Sequence, residues 1–195
     1  MFDLVEKFES EIAKYYGSPY AVATDSCTHA IELCLRHQKI SHATTPKHTY
    51  ISIPFTFEKL GIDWNWTEQE WKDYYYIGNT NIVDAAVFWQ KDGYIENTMM
   101  CLSFQHKKHL KLGRGGMILC DDDNDRQALK RMSYDGRSFD SPWMEQNIKT
   151  LGYHYYMTPE TAEIGLDILA KAKSMTPRSW DWNDYPDLSD MDVFK

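Results

Sequence analysis

Two segments in the middle of the chain carry side chains that could do chemistry together. The first, residues 81–86, ends a short apolar run on the acid Asp84. The second, residues 103–116, brings a serine, several lysines and a glycine cluster. An amine can hold an aldehyde, a carboxylate can hold a pyridinium ring, and hydroxyls with free backbone amides can hold a phosphate. The order of these residue types therefore predicts a pyridoxal phosphate site.

Taken singly, the same residues have ordinary interpretations. A lysine run such as residues 107–111 is usually solvated surface, and an aspartate after a strand, like Asp84, is often a turn cap. Ser26 and Thr28 have the residue types of helix caps. The chemical interpretation therefore depends on several motifs occurring together.

The composition fits one acidic globular domain. The chain has 195 residues, of which 43% are hydrophobic, and a chain of this length can bury a sizeable core. Its net charge of −8 argues against the basic face that a nucleic-acid-binding protein needs. We therefore expect no nucleic acid among its partners.

The cysteines and the start of the chain bear on compartment. Residues 1–8 carry acids early and predict an amphipathic helix, not a signal peptide. No stretch approaches the roughly 20 apolar residues of a membrane span. The scattered cysteines form no CxxC pair, which indicates a reducing compartment, no disulfide framework and no metal site. We therefore expect a cytoplasmic protein without membrane segments. The four cysteines are Cys27, Cys34, Cys101 and Cys120.

Apolar periodicity and turn residues predict alternating strands and helices. This alternation indicates an α/β fold with a mostly parallel central sheet flanked by helices. We expect one domain over residues 1–175, followed by an acidic, aromatic tail over residues 176–195 that is flexible or packs by its aromatic residues. Helices are predicted at residues 3–16, 30–38, 54–61, 121–132 and 159–173, and strands at 20–24, 74–77, 82–83, 99–104 and 116–120.

Several motifs occur in the order of one family. The turn after the first strand is similar to S-G-T-x-A, the acid segment to E-D-A-A, and the lysine segment to S-F-x-x-x-K-x-L-x-x-G-x-G-G. Over most of residues 8–172 the chain thereby resembles the DegT/DnrJ/EryC1/StrS family of pyridoxal phosphate-dependent sugar aminotransferases. The resemblance implies the large domain of a fold type I aminotransferase. The segments that carry it are residues 8–17, 21–30, 49–52, 83–86, 103–116, 152–157 and 162–166.

The resemblance implies a role for individual residues. Lys108 follows Ser103 by five positions and precedes Gly113 by five, so it corresponds to the family's Schiff-base lysine, whereas Lys107 is out of register. A buried lysine has a lowered pKa and is a better nucleophile near neutral pH. Asp84 would pair with the pyridinium nitrogen and keep it protonated.

The remaining cofactor contacts are also carried over from the family. Tyr50 would stack on the face of the ring. Ser103 would give its hydroxyl to the phosphate, together with the turn residues Ser26, Cys27 and Thr28 and their backbone amides. His154 stands where the family has an asparagine that reaches the phosphate of the neighbouring subunit. The resemblance therefore implies a homodimer whose sites are shared between subunits.

Four departures from the family pattern are visible. Val87 cannot hydrogen-bond, although the family has Gln or His at this position, near the phenolic oxygen of the cofactor. Cys27 replaces a glycine of the phosphate turn, and Tyr156 stands in place of an arginine near His154. The fourth departure concerns length: the family's C-terminal small domain has no counterpart after the helix predicted at residues 159–173, and residues 60–82 form a shortened segment.

The leading functional prediction is a compact aminotransferase. It would take an amino group from a donor such as glutamate and pass it to a keto-sugar, expected to be nucleotide-linked. The alternative is a homologue or accessory subunit that binds the cofactor or a sugar nucleotide without catalysis, favoured by Val87 and the short chain. A third possibility, deoxysugar dehydration, is disfavoured because Lys108 is usually a histidine in such enzymes.

Overall fold

The computed structural model describes residues 2–195; Met1, the first residue of the predicted domain, lies outside the described residues. The first part of the chain alternates helices and strands as the sequence predicts, but five consecutive strands then precede the last two helices. The helices are α1 (Asp3–Tyr16), α2 (Cys27–His37), α3 (Ser52–Leu60), α4 (Asp123–Ser133) and α5 (Pro159–Ser174). The strands are β1 (Tyr20–Thr24), β2 (His42–Pro46), β3 (Asp63–Thr67), β4 (Tyr75–Tyr76), β5 (Ile82–Asp84), β6 (Met99–Ser103) and β7 (Gly116–Cys120).

Local sequence signals set several helix ends. Gly17 ends α1 in the left-handed conformation at φ 76°, where its amide donates to the carbonyl of Ala13. Thr158 caps α5 by accepting from the amide of Thr161, and Pro159 takes the first helical turn, where its missing amide costs nothing. The predicted bounds of α1 and α5 are therefore confirmed to within a residue or so.

The α/β class is confirmed, but the prediction of a mostly parallel sheet is wrong. The central sheet has the strand order β1-β7-β6-β5-β4, and only β5 and β6 pair in parallel. The other neighbouring pairs are antiparallel. The reason is the connections: residues 104–115 return the chain from β6 to β7 without a crossover helix, and a short turn joins β4 to β5.

Helices cover both faces of this sheet. Alternate residues of β6 belong to two separate apolar clusters, with Met100 and Leu102 in one and Met99 and Cys101 in the other. The first cluster includes residues of α1 and α5, and the second includes residues of α2, α3 and α4. Because both faces are buried, these strands read as continuous apolar runs.

One edge of the central sheet collects the chemically interesting segments. Gly116, which begins β7, pairs with Thr24 at the end of β1 and with Ser103 at the end of β6. Asp84 at the end of β5 pairs with Cys101 of β6. The ends of three strands and the start of a fourth therefore meet within a few residues of each other.

A second, small sheet and the tail flank this edge. Strands β2 and β3, which the sequence did not predict, pair in parallel. The tail packs on its own chain: the amide of Leu188 donates to the carbonyl of Lys47 at 3.0 Å, and the side chain of Leu188 is buried. Of the two interpretations of residues 176–195, packing is the one observed.

Candidate active site

The turn between β1 and α2 presents helix amides at the sheet edge. Ser26 is the N-cap of α2, in an extended conformation, and its hydroxyl oxygen accepts from the amide of His29 at 3.2 Å. Cys27 and Thr28 therefore occupy the first turn, where backbone amides have no partner within the helix. The hydroxyls of Thr28 and Ser52 lie 2.8 Å apart beside them. This arrangement suits an anion such as a phosphate.

Close backbone packing holds this turn in place. A Cβ added at Gly116 would lie 2.4 Å from the carbonyl carbon of Ser26 and 2.5 Å from the nitrogen of Cys27. Both are backbone atoms, so the contact cannot be relieved by rotating a side chain. Only glycine permits β7 to approach the turn so closely.

Replacing Gly116 with alanine is expected to displace the turn. Overpacking of this kind should lower the free energy of unfolding by about 1–3 kcal/mol, measured by urea denaturation, and should abolish phosphate protection against unfolding. Gly61→Ala is the control for the loss of a glycine: its site lies in the left-handed region, at φ 64°, unlike Gly116, but a Cβ there meets nothing within 4 Å. Equal anion binding by Gly116→Ala and wild-type protein would contradict the assignment of the turn.

Asp84 is a buried carboxylate at the end of β5. It is 6% exposed, and its oxygens accept from the amide of Ala86 at 3.0 Å and from the hydroxyl of Tyr75 at 2.8 Å. Burial raises the pKa of Asp84, while these two hydrogen bonds and the positive charge of Lys108 oppose the rise. A desolvated carboxylate of this kind favours a cationic partner in the adjoining space.

Tyr75 continues this arrangement into the core. Its hydroxyl, which donates to Asp84, lies 2.5 Å from the hydroxyl of Thr49, and the tyrosine is 3% exposed. Because a donor to a carboxylate stabilises its charged form, Tyr75 helps Asp84 remain ionised.

Removing the Tyr75 hydroxyl is expected to raise the pKa of Asp84 further. In Tyr75→Phe the acid limb of any reaction that needs ionised Asp84 should therefore move to higher pH, as measured by the pH dependence of kcat/KM. The matched control is Tyr16→Phe, since the hydroxyl of buried Tyr16 donates to the carbonyl of Phe88 instead. An acid limb that moves equally in both variants would refute the link between Tyr75 and Asp84.

Lys108 lies in the loop between β6 and β7 and faces the same space. Its side chain is partly buried, and that burial lowers its pKa, against the opposing effect of Asp84. Lys107, one residue earlier, is exposed. The amide of Lys108 donates to the carbonyl of Gln105 at 2.8 Å, which fixes the loop locally. Lys108 is thus a better nucleophile toward a carbonyl than a fully exposed lysine would be.

These groups surround one cavity of about 420 Å³. It brings together all but one of the residues predicted from sequence, namely Ser26, Cys27, Thr28, Tyr50, Asp84, Ser103 and Lys108. Tyr50 is 56% exposed and lies at the mouth. Position 87 does not contribute to the lining, whereas Ala86 does. The cavity can hold a planar ligand that offers an anionic group, a carbonyl and a cationic ring edge.

His154 is the predicted site residue that lies outside this cavity. Its side chain is 69% exposed, and its Nδ1 lies 3.0 Å from a carboxylate oxygen of Asp135. The prediction that it reaches the phosphate of a neighbouring subunit concerns a second chain, so it stays a prediction.

Sequence reasoning missed part of the lining. Trp180, Asp184 and Tyr185 come from the tail, and Arg114 comes from the loop that carries Lys108. Arg114 binds Asp25 at 2.6 Å, directly before the turn. The alternation of aromatic and acidic residues in the tail was the only available signal, and it did not indicate where the tail would pack.

Residues 2–195 contain neither a metal-binding cluster nor a membrane-spanning helix. No group of three or more His, Cys, Asp or Glu side chains in that range is arranged to hold a metal ion. No helix in it is long and apolar enough to cross a membrane.

The chain matches one family of known proteins in sequence. The sequence model of the DegT/DnrJ/EryC1/StrS aminotransferase family matches residues 1–63 and 86–185. No curated protein sequence matches the chain significantly.

Solved structures share the fold. AtS13 from Actinomadura melliaura superposes with a TM-score of 0.75 at 19% identity, over 87% of this chain and 60% of that one. The putative sugar aminotransferase Spr1654 from Streptococcus pneumoniae, in its PLP form, gives 0.73 at 17% identity, over 88% and 60%. 3-Amino-5-hydroxybenzoic acid synthase gives 0.67 at 17% identity, over 87% and 56%. The chain therefore spans about three fifths of the length of the structures it resembles.

Proposed function

The chain belongs to the DegT/DnrJ/EryC1/StrS aminotransferase family, and from this premise we propose that it is a pyridoxal phosphate-dependent aminotransferase. Its amino donor is an amino acid such as glutamate, and its acceptor is a keto-sugar, taken to be nucleotide-linked. The observation that carries the proposal is the juxtaposition of Lys108 and Asp84 in one cavity, the amine with a lowered pKa and the carboxylate buried.

The residues present fit the cofactor. Asp84 is a buried carboxylate that lacks a hydrogen-bonded cation among the described residues, and a pyridinium nitrogen would supply one. The amides of Cys27 and Thr28, with the hydroxyl of Ser103, form a phosphate-binding set, while the hydroxyl of Ser26 is used within the turn, where it donates to Asp25 and accepts from the amide of His29. Tyr50 offers an aromatic face at the mouth of the cavity.

Each residue then has a task in the reaction. When bound, pyridoxal phosphate supplies an electron sink for the substrate carbon that loses a proton. Asp84 keeps the ring nitrogen protonated, which sustains that sink. Lys108 provides the amine that holds the cofactor, and once released it can carry the proton at the substrate carbon. The partly enclosed cavity limits the access of water to the reacting atoms.

A binding protein without transaminase activity is the second candidate. Val87 favours it, because valine cannot supply the hydrogen bond that the family's Gln or His gives to the phenolic oxygen. Deoxysugar dehydration is a weaker candidate, since it would usually require a histidine in place of Lys108.

Absorption spectroscopy tests the proposal and separates the two candidates. Purified protein mixed with pyridoxal phosphate is expected to show the visible band of the lysine-bound cofactor, and added glutamate is expected to bleach it. A band that persists with glutamate and with other amino acid donors would favour the binding protein. A protein that stays colourless with added cofactor would refute the aminotransferase and leave only the binding of a sugar nucleotide.

A homodimer with shared sites is also part of the proposal. His154 is exposed on this chain and available to a partner. Sedimentation should show a dimer, and His154→Ala should weaken phosphate binding in the dimer without affecting folding. A monomer that binds the cofactor normally would rule out the shared site.

A further inference from the structure

One side of the cavity is formed by residues that no motif in the sequence accounts for. These residues, Trp180, Asp184 and Tyr185, all lie in the tail and are here called the tail wall. They share the cavity with Lys108 and Asp84, although more than 70 residues separate them along the chain. The tail is therefore part of the site.

Backbone hydrogen bonds fix the tail wall to the body of the protein. The carbonyl of Trp180 accepts from the amide of Asp73 at 2.8 Å. The amide of Trp182 donates to the carbonyl of Trp71 at 3.1 Å, and a ring nitrogen of His48 lies 2.8 Å from the carbonyl of Tyr185. These contacts lie at the start, within and at the end of the wall, so its side chains are preorganised.

Trp180 and Asp184 form a charged and aromatic unit. The guanidinium of Arg178 lies 3.9 Å from the ring centre of Trp180, and the same group is paired with the carboxylate of Asp184. Nζ of Lys108 lies 5.6 Å from the ring centre of Trp180. The indole of Trp180 therefore lies near the amine of Lys108. Arg178 packs on the same indole and pairs with the carboxylate of Asp184, which fixes the position of that carboxylate.

The chemistry of the wall differs from that of the opposite side. The Asp184 side chain is 23% exposed; one carboxylate oxygen is paired with Arg178 and the other accepts from the amide of Asp181 at 3.1 Å, so its remaining lone pairs can accept from hydroxyl groups. Lys107 and Arg114 line the cavity as cations. The two sides are thus suited to different parts of one substrate.

We propose that the tail wall is the substrate-contacting wall of this site, with Trp180 and Asp184 as specificity-determining residues. This inference rests on the proposed function, which defines the reaction and the acceptor that the wall would contact. Trp180 packs on the apolar face of the acceptor, Asp184 accepts from its hydroxyl groups, and any phosphate of the acceptor lies toward Lys107 and Arg114. Tyr185 completes the wall with a hydroxyl that has no hydrogen-bond partner among the described residues.

Point variants within the tail test this inference. Trp180→Ala and Asp184→Asn change the wall, while Trp182→Phe and Asp187→Asn are matched controls, since neither residue lines the cavity. UDP-glucose, thymidine diphosphate glucose and glucose are titrated against the visible band of the loaded protein. We expect the two wall variants to weaken the binding of the responding probe about tenfold or more, with about 1.4 kcal/mol lost per tenfold, and the controls to change it less than threefold.

A second measurement uses the protein without cofactor. Competitive labelling with acetic anhydride reports how accessible the Lys108 amine is, and Trp180→Ala should raise the limiting labelling rate at high pH because the indole no longer lies beside the amine. Trp180→Phe should restore most of the wild-type behaviour.

The two measurements distinguish a failure of the wall proposal from a failure of the proposed function. If the protein loads cofactor but no probe perturbs the band, or if wall variants bind within threefold of wild type, the wall proposal is overturned. If the protein does not load cofactor, the proposed function fails, and the labelling of Lys108 then decides the wall: an unchanged limiting labelling rate in Trp180→Ala overturns it.

Discussion

Lys108→Ala is expected to abolish the visible cofactor band and to reduce amino transfer by about 10³-fold or more, because one amine serves as both covalent anchor and proton carrier. The variant should still fold, since Lys108 makes no ion pair within hydrogen-bond distance among the described residues, and its removal takes a partly desolvated charge out of the protein. Phosphate binding at the turn should survive, because the amides of α2 do not depend on the lysine.

The neighbouring lysine gives the control. Lys107→Ala removes a lysine side chain one position earlier. That side chain is exposed, and its spacing from Ser103 and Gly113 does not match the family motif. Absorption spectra of both variants should show loss of the cofactor band only for Lys108→Ala; the control is read on the band because Lys107 also lines the cavity. A Lys108→Ala protein that retains the band, or a Lys107→Ala protein that loses it, would reassign the chemistry.

Asp84→Asn is expected to have the second largest effect and to act in opposite directions on activity and stability. The carboxamide cannot hold a proton on the ring nitrogen, so amino transfer should fall by about 10²–10⁴-fold. The fold should not suffer, because burying a charged carboxylate is unfavourable and the raised pKa of Asp84 reports that cost. The melting temperature of the cofactor-free variant should equal or exceed that of wild type.

Two measurements check this expectation together. Calorimetry of the cofactor-free proteins gives the melting temperatures, and stopped-flow absorption gives the rate with glutamate. The control is Asp135→Asn, which removes an acid that pairs with Arg137 and His154 outside the cavity. An Asp84→Asn protein that melts well below wild type and retains the rate would show that Asp84 is a structural residue.

Much of the site was predictable because its parts are local in sequence. The turn at Ser26, the acid Asp84 and the segment from Ser103 to Lys108 each follow a strand directly. Strands that end at the same edge of a sheet place such residues close together, however far apart they lie in the sequence. The cavity that contains them is therefore the feature that the motifs predicted best.

The remaining differences come from contacts that are distant along the chain. Strand direction was predicted wrongly because no local pattern showed that residues 104–115 would return to β7 without a helix. Strands β2 and β3 were missed because neither has a continuous apolar run like those of β6 and β7, and each is completed by the other. The bond from Tyr75 to Asp84 joins two strands across a turn and leaves no periodic signal.

The sequence by itself determined the chemical inventory of this protein: an amine, an acid, a turn at the start of a helix, and the register that separates Lys108 from Lys107. The tertiary structure decided what encloses them. Residue type and spacing specify which groups are available, because reactivity belongs to the side chain. Burial, pKa and the far wall of the cavity depend on packing between residues such as Lys108 and Trp180, and that packing exists only once the tail has folded against the sheet edge.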